Sequence, residues 1–166
     1  MERLRRALRG EDREALPIGE ALHPIALLAV IVLLVNDWVL KPHFRGSFVT
    51  GKLSDIAGMV FAPVVLSAAI GLVLKLARRD PTLTRRRLVL CCAATAVGFV
   101  LVKLVPSIGI IVAHAISIFG RRAGFYPDWT DVLCTPFVLV AYWMGRDEMR
   151  RLRSPSDPTA ALPDRP

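Results

Sequence analysis

Between Asn36 and Asp55 the chain reads NDWVLKPHFRGSFVTGKLSD, and a long apolar run closes on this stretch from either side. Asn36, Asp37, Lys41, Lys52, Ser54 and Asp55 are residue types from which acid–base and anion-holding chemistry is built. Aspartates exchange protons, and lysines hold phosphate or carboxylate. Further along, Lys103, Asp128 and Asp131 add the same types. Recognised catalytic signatures are nevertheless missing. There is no nucleophile elbow or paired-carboxylate pattern, and Asp128-Trp-Thr-Asp131 lacks the repeated aspartates of metal-dependent phosphotransferases. Gly46 and Gly51-Lys52 approach a phosphate-binding loop, but Leu53 stands where Ser or Thr is required and no buried strand precedes it. His23, His43 and His114 lack metal-ligand spacing. Cys91, Cys92 and Cys134 lack it too, and read as small buried hydrophobes. No cofactor and no metal is expected.

The elements that must position these residues are membrane-length helices. Hydrophobic residues make up 54% of the 166, and mean hydropathy is +0.47. Soluble domains usually run about 45–50% apolar. The net charge of +8 gathers in the gaps between apolar runs, which argues for a membrane protein beside anionic lipid and against nucleic acid. The runs predict spans at about 24–40, 56–74, 88–105 and 132–145, opened by Pro24 and carrying Trp38, Tyr142 and Trp143 as interface anchors. From Leu88 to Phe119 a single helix would be about 48 Å long, against a hydrocarbon core of about 30 Å. Residues 107–119 are therefore either an interfacial or re-entrant piece, or the extension of one kinked helix.

Four spans place both termini and the 75–87 loop on one side. That side holds five Lys/Arg in the N-terminal tail, six in the loop and five in the C-terminal tail, against six opposite. The positive-inside rule makes it the cytoplasm. The expected fold is thus an all-α, multi-pass bundle of four transmembrane helices, with both termini cytoplasmic. A basic segment at 1–20 precedes the 21–145 bundle, and a disordered tail at 146–166 follows it.

Orientation brings Asn36, Asp37, Lys41, Lys52, Ser54, Asp55, Lys103, Asp128 and Asp131 to the extracytoplasmic helix ends, with His114, Arg121, Arg122 and Thr130 nearby. Ionisable groups at membrane depth usually face the bundle interior and pair with one another. Asp37 and Lys103 are the expected buried pair, and Ser54 or Asp55 the expected cap of the second helix. Whether the cluster is a site or a structural ion-pair network stays open at this level.

The order His23-Pro24, Asn36-Asp37, Leu40-Lys41, Thr50-Gly51-Lys52-Leu53-Ser54-Asp55 with Gly58, then Pro127-Asp128 and Thr130-Asp131, resembles a group of small uncharacterised bacterial polytopic membrane proteins. The resemblance covers about two thirds of the chain, His23 to Asp131, and implies a fold and a polar face but no chemistry. The residues themselves suggest a non-enzymatic role: binding, transport-assisting or partner-organising. Membrane lipids would be its surroundings, and a homo-oligomer or a larger membrane partner would complete any path. One rival is a small intramembrane enzyme acting on a lipid head group, with Asp37, Asp55 or Asp131 as acid–base and Lys52 or Arg121 on phosphate. Another is an ion-coupled carrier using Asp37.

Overall fold

The computed structural model describes residues 18–44, 47–118 and 128–153, and within them the regular structure is helical throughout. A 3-10 turn, Gly19–Leu22, leads into α1, Pro24–Val35. Proline sits at the first position of α1, where its missing N–H leaves no bond unmade. His23 caps the helix, its Nδ1 accepting from the Ile25 N–H at 3.2 Å. The helical path continues through a π-helical turn, Asn36–Leu40, and ends with Lys41–His43. Helix α2 spans Phe48–Leu76 and α3 spans Arg85–Leu104. A short helix α4, Pro106–Ser117, follows. A 3-10 stretch, Trp129–Phe137, then feeds α5, Val138–Arg153.

Three stretches are long and apolar enough to cross a membrane: Pro24–His43, Phe48–Leu76 and Arg85–Leu104. Helix α5 has 16 residues and carries Arg146, Asp147, Glu148 and Arg150, so it does not join them. Helix α2 packs against α1, α3 and α5 and is the hub of the bundle. Its interior partners are mostly small: Ala26 and Ala29 of α1, Ala57, Val60 and Val64 of α2, Cys92 of α3 and Ala141 of α5. Large apolar side chains point outward instead, among them Leu27, Leu28 and Ile31 of α1, Val73 of α2, Leu90 and Val97 of α3 and Leu139 of α5. Small inside and large apolar outside is the arrangement a bilayer favours. Lipid solvates the exterior, and close backbone approach supplies the packing.

A close approach joins α3 to α5. A Cβ added at Gly145 would stand 2.5 and 2.6 Å from the two methyls of Leu88 and 3.1 Å from its Cγ. Leu88 is wholly buried, so its methyls cannot swing into open space. Gly145→Ala gains up to about 1 kcal/mol of helix propensity, but overpacking a filled interior costs about 1–3 kcal/mol. A lower unfolding midpoint in detergent is therefore expected, and the double variant with Leu88→Ala should lose less than the two single losses summed, because the shorter side chain makes room for the added methyl.

Several boundaries depart from the sequence reading. Helix α2 begins at Phe48, not near residue 56, so Ser54 and Asp55 lie inside it and neither caps it. Val105 is extended ahead of Pro106, as steric clash with a proline ring requires, and this makes α4 a separate helix. The last helical stretch starts at Trp129 and runs through Arg153, past the expected 132–145 span. It thereby gives residues 146–153 a helical conformation where a disordered tail was expected. All three cysteines are buried and free, as expected of small apolar residues. Residues 1–17 of the expected basic segment at 1–20, residues 154–166 of the expected tail at 146–166, and Arg121 and Arg122 lie outside the described residues.

Candidate functional site

The end of α1, the start of α2, the end of α3 and the start of the 3-10 stretch meet at one end of the bundle, and the polar residues meet with them. Helix α2 distributes them by its own geometry. Residues three or four apart share a face, and residues two apart do not. Thr50 and Ser54 therefore turn to α1, while Lys52 and Asp55 turn to α3 and residues 128–131.

On the first face Asn36 is wholly buried. Its Nδ2 donates to the Thr50 carbonyl at 2.7 Å and to Ser54 Oγ at 2.6 Å. Ser54 Oγ in turn donates to Asp37 Oδ1 at 2.9 Å, and Lys41 Nζ pairs with the same oxygen at 2.6 Å. This relay runs through the π-helical turn, a form of backbone that recurs at functional sites. It leaves Asn36 Oδ1 buried with no hydrogen-bond partner among the described residues. The amide cannot turn over to find one, because Oδ1 would then face the Thr50 carbonyl, acceptor against acceptor.

On the second face two lysines share one carboxylate. Asp131 Oδ1 accepts from Lys52, and Oδ2 accepts from Lys103 at 2.5 Å. Lys103 also reaches Asp55 Oδ2 at 3.0 Å. Lys52 also reaches Thr130 Oγ1 at 2.6 Å and Asp128 Oδ2 at 3.6 Å. Two aromatic faces complete the setting: Phe48 lies under Lys52 at 4.7 Å and Phe99 near Lys103 at 5.4 Å. The expected Asp37–Lys103 pair does not form. Asp37 is taken by Lys41 and Ser54, and Lys103 by Asp55 and Asp131. The physical reason is positional: Asp37 is served from the α1 side of α2, whereas Lys103 reaches the opposite side.

Asp128 caps the 3-10 stretch, accepting from Thr130 Oγ1 at 2.7 Å and from its N–H at 2.9 Å. The Thr130 hydroxyl, the Thr130 N–H and nearby Lys52 hold its carboxyl below the usual aspartate range. A depressed carboxyl stabilises the fold when ionised. That contribution is present above the ordinary aspartate pKa and is lost as pH falls below about 4. We expect the unfolding midpoint to drop there. Asp128→Asn keeps a capping oxygen that does not titrate, so the part of the drop that belongs to this residue should vanish in it.

All nine expected site residues lie at this end, in two clusters on different faces of α2. His43 and His114 are exposed and bond to the carbonyls of Val39 and Ile110 in their own helices, so neither joins the cluster. No group of three or more metal-ligating side chains forms among the described residues.

A second buried polar group, at the other end of the bundle, went unread in the sequence. Arg87 NH2 pairs with Glu20 Oε1 at 3.3 Å, Arg87 Nε donates to Ser67 Oγ at 3.2 Å, and Ser67 Oγ donates to Glu20 at 2.9 Å. The available signal was Ser67, the lone polar side chain in the run 56–74. Close by, His23 Nε2 lies 3.7 Å from Asp147.

Fold and site define an all-α protein with three helices able to cross a membrane and a charge-paired cluster where helix ends converge. No protein-family model, curated protein or solved structure matches the chain.

Proposed function

We propose that this is a four-span bacterial inner-membrane protein, both ends cytoplasmic, whose extracytoplasmic helix ends form a binding site that serves transport or organises a partner. The fourth span in this reading is the stretch from Trp129 through α5, and the likeness to small bacterial polytopic proteins is part of the proposal. The observation that carries it is Asn36 Oδ1, a wholly buried acceptor fixed in orientation with no donor among the described residues. An orphaned buried acceptor costs about 1–3 kcal/mol, and such groups in native proteins call for an explanation. A bound donor at the site, from a ligand or a partner, supplies one.

The charge balance points the same way. The described cluster sets four carboxylates (Asp37, Asp55, Asp128 and Asp131) against three ammonium groups (Lys41, Lys52 and Lys103). It is therefore better suited to a cationic or donor-bearing group than to an anion. The head-group enzyme is less well supported, because Asp55 and Asp131 are both committed to lysine and Lys52 is committed to Asp131.

The test replaces Asn36, Asp37, Lys52 and Asp55 singly by Ala in the native host and follows membrane abundance alongside the lipid and metabolite profile. Binding predicts that Asn36→Ala or Asp37→Ala keeps its level while one compound class shifts. If abundance collapses with every substitution and no compound moves in proportion beyond it, the cluster is a structural network and the binding reading fails.

A further inference from the structure

At the opposite end of the bundle, α2 and α3 part around a cavity of about 440 Å³. Leu66, Ile70 and Leu74 form one wall. Spaced four apart on α2, they make a single row about 12 Å long. Leu90 and Ala94 of α3 form the other wall, and both are exposed. The end toward the 77–84 loop is polar and is lined by Asp80, Thr82, Thr84 and Arg87. These groups are already engaged. Asp80 accepts from the Thr82 N–H and hydroxyl, Thr84 Oγ1 accepts from the Arg87 N–H, and the Arg87 side chain serves Glu20, Ser67 and the Pro81 carbonyl. The cavity is thus an apolar slot under a polar lid.

Arg78, Arg79, Arg85 and Arg86, all exposed, stand in the same loop and at the adjoining helix start. Their positive charge outweighs Asp80, the one acid in the 75–87 stretch. Arg78 also carries an independent mark. Its φ is 55°, in the left-handed region, where it closes α2. The Arg79 N–H returns to the Leu74 carbonyl at 2.8 Å and the Arg78 N–H to the Lys75 carbonyl at 3.0 Å. Glycine fills that closing position without strain, and any other residue pays for its Cβ. An arginine held there at a cost, beside three more, indicates that its charge is used.

We propose that the slot seats one acyl chain of an anionic phospholipid whose phosphate rests on Arg78, Arg79, Arg85 and Arg86. The assignment is independent of the binding role given to the other end of the bundle. Apolar walls meet the chain and cations meet the head group, since each of the four arginines stands within two residues of a residue that lines the polar end of the slot, Asp80, Thr84 or Arg87. A zwitterionic lipid satisfies the walls equally well but gains less from the arginines, each worth up to about a factor of five toward anionic lipid and less where several share one phosphate.

The experiment uses the full chain in neutral detergent. Equal amounts of phosphatidylglycerol and phosphatidylcholine are added, and retained lipid is read by native mass spectrometry. One phosphatidylglycerol per chain is expected, favoured about tenfold or more over phosphatidylcholine. Ala94→Phe, which fills the slot from its lipid-facing side, should remove retention of both lipids. Arg78→Gly should raise the unfolding midpoint by relieving the left-handed strain, yet cut the phosphatidylglycerol preference by up to about fivefold. That variant keeps the test decisive even if Ala94→Phe fails to fold. Millimolar glycerol phosphate should leave the lipid bound. Equal retention of the two lipids, an unaltered preference in Arg78→Gly, retention in a folded Ala94→Phe, or displacement by glycerol phosphate alone would each overturn the proposal.

Discussion

Lys103→Met is expected to destabilise the protein by about 3 kcal/mol and to lower its membrane level several-fold. The ammonium of Lys103 touches Asp55 at 3.0 Å and Asp131 at 2.5 Å, so those two carboxylate oxygens lie no more than about 5.5 Å apart. With the cation gone they face each other. At an effective dielectric of about 20, two unit charges at that separation repel by about 3 kcal/mol. Protonating one carboxyl to escape costs a comparable amount at neutral pH. Methionine fills most of the lysine volume, so the loss belongs to the charge and not to a cavity.

The same geometry predicts a rescue. Adding Asp55→Asn to Lys103→Met removes one of the two facing charges, while Asp131 retains Lys52. Most of the lost stability should return. Midpoints of thermal unfolding in detergent, read for the single and double variants, give the coupling directly. A Lys103→Met protein as abundant and as stable as the parent would mean that the lysine does not hold the two acids together. Restored stability also opens a cleaner functional test, because any compound shift that persists in the folded double variant belongs to the site and not to unfolding.

The apolar runs made three of the helices legible, since roughly 20 apolar residues in a row have few other uses. Cys91, Cys92 and Cys134 were legible as interior residues for a similar reason: nothing around them offers a metal or a disulfide geometry. The start of α2 was not. Residues 48–55 read as a polar loop because Thr50, Lys52, Ser54 and Asp55 look like hydrophilic chain between spans. In the helix the side chains of Lys52, Ser54 and Asp55 and the Thr50 carbonyl find partners on other elements, Asn36 and Asp37 on one side, Lys103 and Asp131 on the other. Periodicity carries no trace of a partner 79 residues away. For the same reason the sequence places nine polar residues at one end but pairs Asp37 with Lys103, where the structure pairs it with Lys41. Helical facing on α2 decides the pairing, and that requires knowing that the helix begins at Phe48.

Arg87→Met should cost at least as much as Lys103→Met, about 3–5 kcal/mol, because it strands a more deeply buried acid. The Glu20 side chain is only 4% exposed and that of Arg87 only 8%. Without the guanidinium, Glu20 keeps the Ser67 hydroxyl as its one side-chain donor among the described residues, and a single neutral donor does not offset a buried carboxylate. The opposite truncation, Glu20→Gln, should cost less. Gln still accepts from Ser67, and Arg87 retains the Ser67 hydroxyl at 3.2 Å and the Pro81 carbonyl at 2.8 Å. The double variant should therefore be more stable than Arg87→Met alone, with a coupling of about 2 kcal/mol or more between the two sites. Glu20 belongs to the turn that leads the chain into α1, whereas Ser67 and Arg87 belong to α2 and α3. The network thus ties the entry of the chain to the hub of the bundle, and Arg87→Met should also speed proteolytic cutting around Glu20. Additive single-site losses, or an Arg87→Met protein within about 1 kcal/mol of the parent, would show instead that the arginine is solvated from the membrane surface and that the ion pair contributes little.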